Sequence, residues 1–202
     1  RSGVMLYREA KTGKIYAIDF REHAPSKANE RIFLDPKGEV IPNKSLLGIH
    51  AAGVPGIVKG LSAIHRRFGR EKWKDLVAPA IELAENGVTV YPYLANALRE
   101  EKGELEEFQD TKKIFLKTGG KPYAVGEKIV QPDLARTLRE ISAHGSDAFY
   151  AGRIARAIEK ATNGWISRRD LSNYRVRWLK PVRASFRNYE IVSMPPPSSG
   201  GT

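Results

Sequence analysis

The hydrophobic period changes along the chain, and this change limits the fold more than any other feature of the sequence. Residues 4–8 and 15–20 are short runs rich in Val, Ile, Tyr and Phe, and Gly13 lies between them, which predicts a β-hairpin. Between residues 57 and 84 apolar side chains recur every three or four positions, a spacing typical of amphipathic helices. Alternation returns after residue 176. This order predicts an α+β fold, with helices packed on a mainly antiparallel sheet.

Glycine and proline mark where the middle elements should begin and end. Gly69 and Gly87 are expected to end two helices, and Pro79, inside the second, predicts a bend or a later start of that helix. A third, Glu-rich helix is expected over 92–110. Turns and short strands are expected over 113–130, where glycines separate short apolar runs.

The last third of the chain carries helix-capping signals. A helix should end at Gly145, and Ser146 is placed to cap the next one. Ser167 and Asp170 resemble a capping box in which Asp replaces the usual Glu. Two strands should follow, joined by a turn near Arg187 and Asn188.

Composition is that of one folded domain and excludes several kinds of site. Hydrophobic residues make up 41% and charged residues 28%, which is ordinary for a globular protein, and the length predicts that residues 1–202 form a single domain or a large part of one. The sequence has no cysteine, so disulfides and thiolate metal ligands are excluded. It has no HExxH spacing, phosphate loop or dinucleotide fingerprint, and we predict neither metal nor cofactor. No apolar run reaches the roughly 18 residues needed to span a membrane.

The chain is basic, with 34 Lys and Arg against 23 Asp and Glu and a net charge of +11. Such a balance can indicate a binder of nucleic acid or of another anionic surface. The cations are spread along the whole length, and no nucleic-acid-binding motif accompanies them. We therefore expect no nucleic-acid partner. A non-catalytic basic module that binds an acidic partner remains open, and its binding should weaken steeply with salt.

Two further features have ordinary structural explanations. The histidines are His23, His50, His65 and His144, and none lies in a nucleophile-elbow sequence. His65 is on the apolar side of its helix and is expected at the edge of the core. The segment PPPSSGG, residues 195–201, should be an extended polyproline piece. Either it binds an anion or it is a rigid turn, and its composition favours the turn.

Arg21 is the candidate binding residue. It lies in DFREHAP, residues 19–25, where an apolar strand runs into a loop. A guanidinium presents a planar fork that fits a carboxylate with two parallel hydrogen bonds. Asp19 and Glu22 flank it and could position it. The residues alone leave two interpretations, a ligand carboxylate or a strand-end salt bridge, and they favour the salt bridge.

Several collinear segments resemble one known family over essentially all 202 residues. These segments are AIDFREHAPSKA, FLDPKGEV, SLLGIHAAGVPGIVKGLSAIHRRFG, WKDLVAPAIELAENGVTV, DAFYAGRIARAI, ISRRDLSNYRV and EIVSMPPPSSGG. They are similar to the gamma-glutamyltranspeptidases, also called glutathione hydrolases. Several motifs in the same order along the chain identify a family far more specifically than any single motif does.

The resemblance implies a fold and a mechanism. The fold is the N-terminal-nucleophile hydrolase αββα four-layer sandwich, with only part of it in this chain. A precursor cuts itself into a large and a small subunit, and the new N-terminal threonine attacks the γ-glutamyl amide of glutathione or a related donor. The acyl-enzyme then passes its γ-glutamyl group to water, an amino acid or a dipeptide. Arg21 takes the family's role of binding the substrate α-carboxylate.

The resemblance also sets limits on what this chain would do alone. We expect it to be part of a large subunit, with the nucleophilic threonine downstream and no catalytic residue among these 202. Thr202 matches a position that is not catalytic. The chain alone should be inactive. It should expose apolar surface, associate with a partner chain or associate with itself, and the partner in the family is the small subunit of the same precursor. The resemblance implies a periplasmic or secreted location, which is usual in the family. Enzymatic alternatives are a cephalosporin or glutaryl acylase and a relative that processes poly-γ-glutamate.

Overall fold

The structure is a computed structural model that describes residues 3–198. Helices and strands alternate in groups, and a one-turn 3-10 helix at Ile49–Ala51 precedes the first α-helix. The strands are β1 Val4–Arg8, β2 Ile15–Asp19, β3 Val88–Thr89, β4 Leu116–Lys117, β5 Lys121–Pro122, β6 Lys128–Ile129, β7 Arg177–Leu179, β8 Val182–Phe186 and β9 Tyr189–Ser193. The helices are α1 Ile57–Phe68, α2 Trp73–Asn86, α3 Pro92–Glu100, α4 Lys102–Glu107, α5 Gln109–Phe115, α6 Pro132–His144, α7 Asp147–Tyr150, α8 Arg153–Ala161 and α9 Arg168–Asn173.

The described residues group into two compact units. The first unit comprises residues 3–70 and 145–198, and the second comprises Glu71–His144. The prediction of a single domain over 1–202 stays a prediction, because the grouping describes contacts and not independent folding.

The first unit is organised around an antiparallel sheet of three strands in the order β1-β2-β7. The predicted hairpin is confirmed, with Val4 opposite Asp19 and Arg8 opposite Ile15. Strand β2 is central and ends at Asp19, where its partner on β7 is Arg177. Because β2 has neighbours on both sides, the end of this strand is buried, and the loop that follows starts from a fixed point.

The core of the first unit lies among helices α7 to α9 and the segment before α1. Its buried members are Val54, Tyr150, Ala155, Trp165, Ile166, Leu171 and Tyr174. The indole N–H of Trp165 donates to the carbonyl of Ala52 at 2.8 Å, so this large ring is buried without losing its hydrogen bond. Tyr174 directly follows α9. The core therefore packs both α9 and Tyr174 against the segment that leads into α1.

Strands β8 and β9 form a separate hairpin in the first unit. The predicted turn is confirmed, and Arg187 adopts a positive φ of 53° there. Phe186, Tyr189 and Ile191 are exposed on this ribbon. This exposure confirms the expected exposed apolar surface. A hairpin of two strands is only marginally stable by itself.

The second unit pairs helix α2 with helix α6. The indole N–H of Trp73 donates to the carbonyl of Ile141 at 3.0 Å and ties the two helices together. Helix α2 runs from Trp73 through Pro79, so the predicted later start is wrong. The stretch around Pro79 is exposed, and water can replace the hydrogen bond that proline cannot donate.

The predicted single helix over 92–110 is wrong, because the segment is broken into α3, α4 and the start of α5. The chain leaves helical angles at Glu101 and becomes extended at Phe108. Acidic side chains repeat along this stretch at spacings that place like charges together, and Gly103 has low helix propensity. Local repulsion and a weak helix former therefore outweigh the helical period.

Capping of the helices in the last third is partly as predicted. Gly145 follows α6 with a φ of 69°. Ser146 is at the N-cap position of α7, but its side chain makes no capping hydrogen bond, so that prediction is wrong. Its backbone is already helical, whereas a capping side chain needs an extended backbone to reach the first N–H groups.

The capping box at α9 is confirmed. The Asp170 N–H donates to Ser167 Oγ at 3.1 Å, and the Ser167 N–H donates to Asp170 Oδ2 at 3.0 Å. The other carboxylate oxygen of Asp170 accepts from the Ser26 N–H at 3.0 Å. Burial alone would raise the pKa of Asp170, but the hydrogen bonds from Ser167 and Ser26 outweigh it and lower the pKa.

Asp170→Asn should make the chain less stable at neutral pH, by about 1 kcal/mol in the free energy of unfolding, since the charged acceptor of the cap is lost. A carboxyl whose pKa is lowered on folding stabilises above its unfolded pKa of about 3.9 and loses that contribution as the pH falls through its folded pKa. Urea unfolding should therefore give a gap between wild type and variant at pH 7 that narrows below about pH 4. A gap that stays constant with pH would contradict the charge-dependent role.

Within residues 3–198, no helix is both long and apolar enough to cross a bilayer. The same residues contain no group of three or more His, Asp or Glu side chains arranged to hold a metal ion.

Candidate functional site

Arg21 is placed by the end of strand β2. The buried Asp19, 2% exposed, is the last residue of that strand. Its carboxylate oxygen Oδ1 accepts from the Arg21 backbone N–H at 2.9 Å, the local hydrogen bond of an Asx turn. The turn takes the chain out of the sheet and sets the backbone direction from which the Arg21 side chain leaves.

Asp19 contacts Arg21 through the backbone N–H and forms no ion pair with the Arg21 guanidinium. Its second oxygen accepts from the guanidinium of Arg177, which lies opposite Asp19 in the β2–β7 pairing. The buried carboxylate is therefore neutralised by an arginine 158 residues away. The reason is the strand register, which the local sequence does not encode.

Within residues 3–198, the guanidinium of Arg21 has one hydrogen-bond partner, a backbone carbonyl. Its Nη1 donates to the carbonyl oxygen of Pro197 at 3.2 Å. Among the residues that the structure describes, no carboxylate forms an ion pair with it, so the strand-end salt bridge is wrong. A guanidinium carries five N–H donors, and most of them remain available to a bound anion.

The proline segment near Arg21 is a turn. The Ser198 N–H donates to the carbonyl of Pro195 at 3.2 Å and closes it. The extended polyproline conformation is therefore wrong for 195–198, and the rigid-turn interpretation is confirmed there. Residues 199–201 of the predicted segment, and Thr202, lie outside the described residues.

A cavity of about 270 Å³ adjoins the loop that follows Arg21. His23, His50 and Trp165 contribute rings to its wall. His23 reaches this place because it pairs with Val54 in an isolated antiparallel bridge, and His50 lies edge-on to Trp165 at 5.1 Å between ring centroids. Sequence reasoning missed this pair of histidines, since no spacing signal connects positions 23 and 50.

His65 is half-buried, as expected for the edge of the core.

A larger hollow, about 800 Å³, lies in the second unit. Its wall contains Lys112, Lys113, Lys117 and Lys121. Lys117 is paired with Glu127 at 2.7 Å, and Lys113 lies 3.4 Å from Asp110. The hydrogen bond from Lys117, followed by that from the Ala124 N–H, lowers the pKa of Glu127. Acids offset much of the positive charge here, and we therefore take the Arg21 loop as the candidate site.

The chain is similar to known proteins over nearly its whole length. The family described as Gamma-glutamyltranspeptidase matches residues 2–202. The glutathione hydrolase proenzyme of Pseudomonas sp. strain A14 is 40% identical over 192 residues, which are 94% of this chain and 33% of that protein. The crystal structure of Helicobacter pylori gamma-glutamyltranspeptidase superposes with a TM-score of 0.96 at 43% identity, covering 99% of this chain and 58% of that one.

An acylase is also among the relatives. The Acylase ACY 1 proenzyme of Pseudomonas sp. strain SE83 is 36% identical over 198 residues, which cover 94% of this chain and 35% of that protein. The chain thus spans about a third of the length of the curated relatives it matches.

The comparisons confirm the predicted fold class. The structural neighbours are N-terminal-nucleophile hydrolases, both gamma-glutamyltranspeptidases and acylases, and the chain has part of their αββα sandwich. The match of a family over residues 2–202 and the near-complete superposition on a solved member agree with the collinear motifs. The chain therefore belongs to the gamma-glutamyltranspeptidase family.

Proposed function

We propose that this chain is part of the large subunit of a γ-glutamyl hydrolase or transferase, and that Arg21 binds the α-carboxylate of its substrate. The observation that carries the proposal is the state of the Arg21 side chain. The guanidinium is next to a buried acid yet is not paired with it, because Arg177 takes that acid. A cation kept from its neighbouring carboxylate suits a ligand carboxylate, which fits the guanidinium fork with two hydrogen bonds.

The substrate class follows from the family. Glutathione and related γ-glutamyl amides carry a free α-carboxylate at one end and the scissile amide at the other. An arginine on the carboxylate holds the amide at a fixed distance from a nucleophile, and such orientation supplies a large part of catalysis. Water, an amino acid or a dipeptide would accept the γ-glutamyl group.

The nucleophile in this proposal is a threonine outside the 202 residues. An N-terminal threonine can use its own α-amine as the base for its hydroxyl, attack the γ-glutamyl amide and form an acyl-enzyme. Backbone N–H groups would stabilise the oxyanion. The threonine would begin a small subunit cut from the same precursor, a partner that the word proenzyme in the relatives' names supports. A periplasmic or secreted location belongs to the same proposal.

A second candidate is an acylase of the cephalosporin or glutaryl type. The 36% identity with Acylase ACY 1 and the likeness to a cephalosporin acylase of Bacillus halodurans, 25% identical with a TM-score of 0.78, support it. Arg21 does not separate the two, since a glutaryl group also ends in a carboxylate. The α-amine does, because a γ-glutamyl group carries it and a glutaryl group lacks it. A relative that processes poly-γ-glutamate would share the γ-glutamyl chemistry and differ in the length of its donor.

The test compares anilide hydrolysis by two proteins. One is the 202-residue chain, and the other contains this chain and is as long as the full-length relatives. We expect the longer protein to release aniline from a γ-glutamyl anilide, and the 202-residue chain to release none. The same proteins are assayed with a glutaryl anilide. Faster hydrolysis of the glutaryl compound would favour the acylase. Activity of the 202-residue chain alone would place a nucleophile within it and overturn the proposed division of the site.

A further inference from the structure

Two buried side chains hold the Arg21 backbone, one on each of its polar groups. The N–H donates to Asp19 Oδ1 at 2.9 Å, and the carbonyl accepts from the Tyr174 hydroxyl at 2.8 Å. Asp19 and Tyr174 are each 2% exposed. The Arg21 backbone is therefore fixed from both sides, while its guanidinium bonds to one carbonyl among the described residues.

Tyr174 is itself fixed in place. It follows the capped helix α9, and its N–H donates to the carbonyl of Leu171 at 3.1 Å. Its ring stacks against that of Tyr150 with 5.8 Å between centroids. Burial, and then the neighbouring Tyr150 and Asp19, raise the pKa of Tyr174 well above the ordinary tyrosine value. The hydroxyl therefore stays protonated and remains a donor to Arg21 throughout the working pH range.

Space for this hydrogen bond depends on Gly56, the residue just before α1. A Cβ at Gly56 would lie 2.1 Å from the Tyr174 hydroxyl oxygen and 2.2 Å from the carbonyl oxygen of Phe20. Both distances are far shorter than any real contact of a Cβ atom. The glycine thus lets the start of α1, the Phe20–Arg21 backbone and Tyr174 meet at one point.

From this geometry we propose that Tyr174 is a positioning residue, which aims Arg21 at the substrate carboxylate by holding its backbone carbonyl. The inference rests on the proposed function of Arg21. Tyr174 touches no substrate in this scheme and acts only through Arg21. Its loss should therefore weaken binding of ligands that carry the α-carboxylate and leave other ligands unaffected.

The experiment uses an active protein that contains this chain and is as long as the full-length relatives. Its substrate is a γ-glutamyl anilide. Inhibition constants are measured for L-glutamate and for 4-aminobutyrate, which lacks the α-carboxylate. Tyr174→Phe should raise the constant for L-glutamate about fivefold, the effect of one lost hydrogen bond, and leave that for 4-aminobutyrate unchanged. An inhibition constant does not depend on the folded fraction, so a less stable variant is still informative.

Two further variants sharpen the result. Tyr150→Phe is the matched control, because its equally buried hydroxyl donates to the carbonyl of Pro55 at 2.8 Å and not to Arg21. It should leave both inhibition constants unchanged. Gly56→Ala, which crowds the Tyr174 hydroxyl but keeps it, should raise the L-glutamate constant by a similar factor to Tyr174→Phe.

The outcomes separate this inference from the proposed function. In an Arg21→Ala background, Tyr174→Phe should add nothing, since its effect passes through Arg21. If Arg21→Ala weakens L-glutamate binding and Tyr174→Phe does not, the positioning role is wrong while the role of Arg21 stands. If Arg21→Ala itself leaves L-glutamate binding unchanged, the proposed function fails and the positioning role fails with it.

Discussion

Arg21→Ala should lower kcat/KM for a γ-glutamyl anilide by a factor between about 30 and about 5,000. The protein assayed contains this chain and is as long as the full-length relatives. This range corresponds to about 2–5 kcal/mol, the usual loss when one partner of a buried, hydrogen-bonded charge pair is removed. The substrate α-carboxylate would lose a bidentate partner. Arg177 cannot substitute, because it is paired with Asp19 across the sheet.

Two variants test whether geometry or mere positive charge is responsible. Arg21→Lys should recover only part of the activity, because an ammonium lacks the planar fork of the guanidinium. Arg31→Ala is the control, since Arg31 is an exposed arginine ten residues further along the same unit, and its kcat/KM should match wild type. An Arg21→Ala protein as active as wild type would remove Arg21 from the site altogether.

The candidate site shows which part of a binding residue the sequence can predict. Residue type and position at a strand end singled out Arg21, whereas its role of binding a carboxylate came from the family resemblance and stays a prediction. They were not enough to assign its partners. Asp19 looked like a partner of the guanidinium, but the β2–β7 register gives that carboxylate to Arg177, and Tyr174 reaches Arg21 from 153 residues away. Such contacts depend on tertiary pairing, which a single sequence does not contain.

The same division applies to the fold. Some signals that act within one turn of chain were reliable, as with the Ser167–Asp170 capping box and the glycine after α6. The Ser146 cap was not, because the backbone there is already helical. The long helix predicted over 92–110 failed because helical period was weighed without the acidic repeats that oppose it. Pro79 was expected to bend α2 or delay its start, but the helix begins before it, and an exposed proline is tolerated when water can take the place of the missing donor. Each miss came from weighing one local rule without its competitor.

Gly60→Ala should destabilise the first unit by about 2 kcal/mol, although alanine is the better helix former. Gly60 lies inside α1 and is buried against Phe20. A Cβ there would lie 2.2 Å from Phe20 Cγ and 2.5 Å from its Cβ, and the ring of Phe20 is only 5% exposed. The ring cannot turn out to solvent without emptying its place, so overpacking should exceed the helix-propensity gain of about 1 kcal/mol. Urea unfolding of wild type and variant measures the difference.

Gly103→Ala is the matched control, because Gly103 is also in a helix but a Cβ there would meet nothing within 4 Å. It should stabilise the chain by up to about 1 kcal/mol, so the two glycine-to-alanine changes are expected to have opposite signs. Stabilisation by both would mean that Phe20 moves aside easily. If Phe20 instead resists, the added methyl group must push on the residue next to Arg21, and the same variant should weaken L-glutamate binding. A loss of stability together with a loss of carboxylate binding would tie the packing of α1 to the placement of the candidate binding residue.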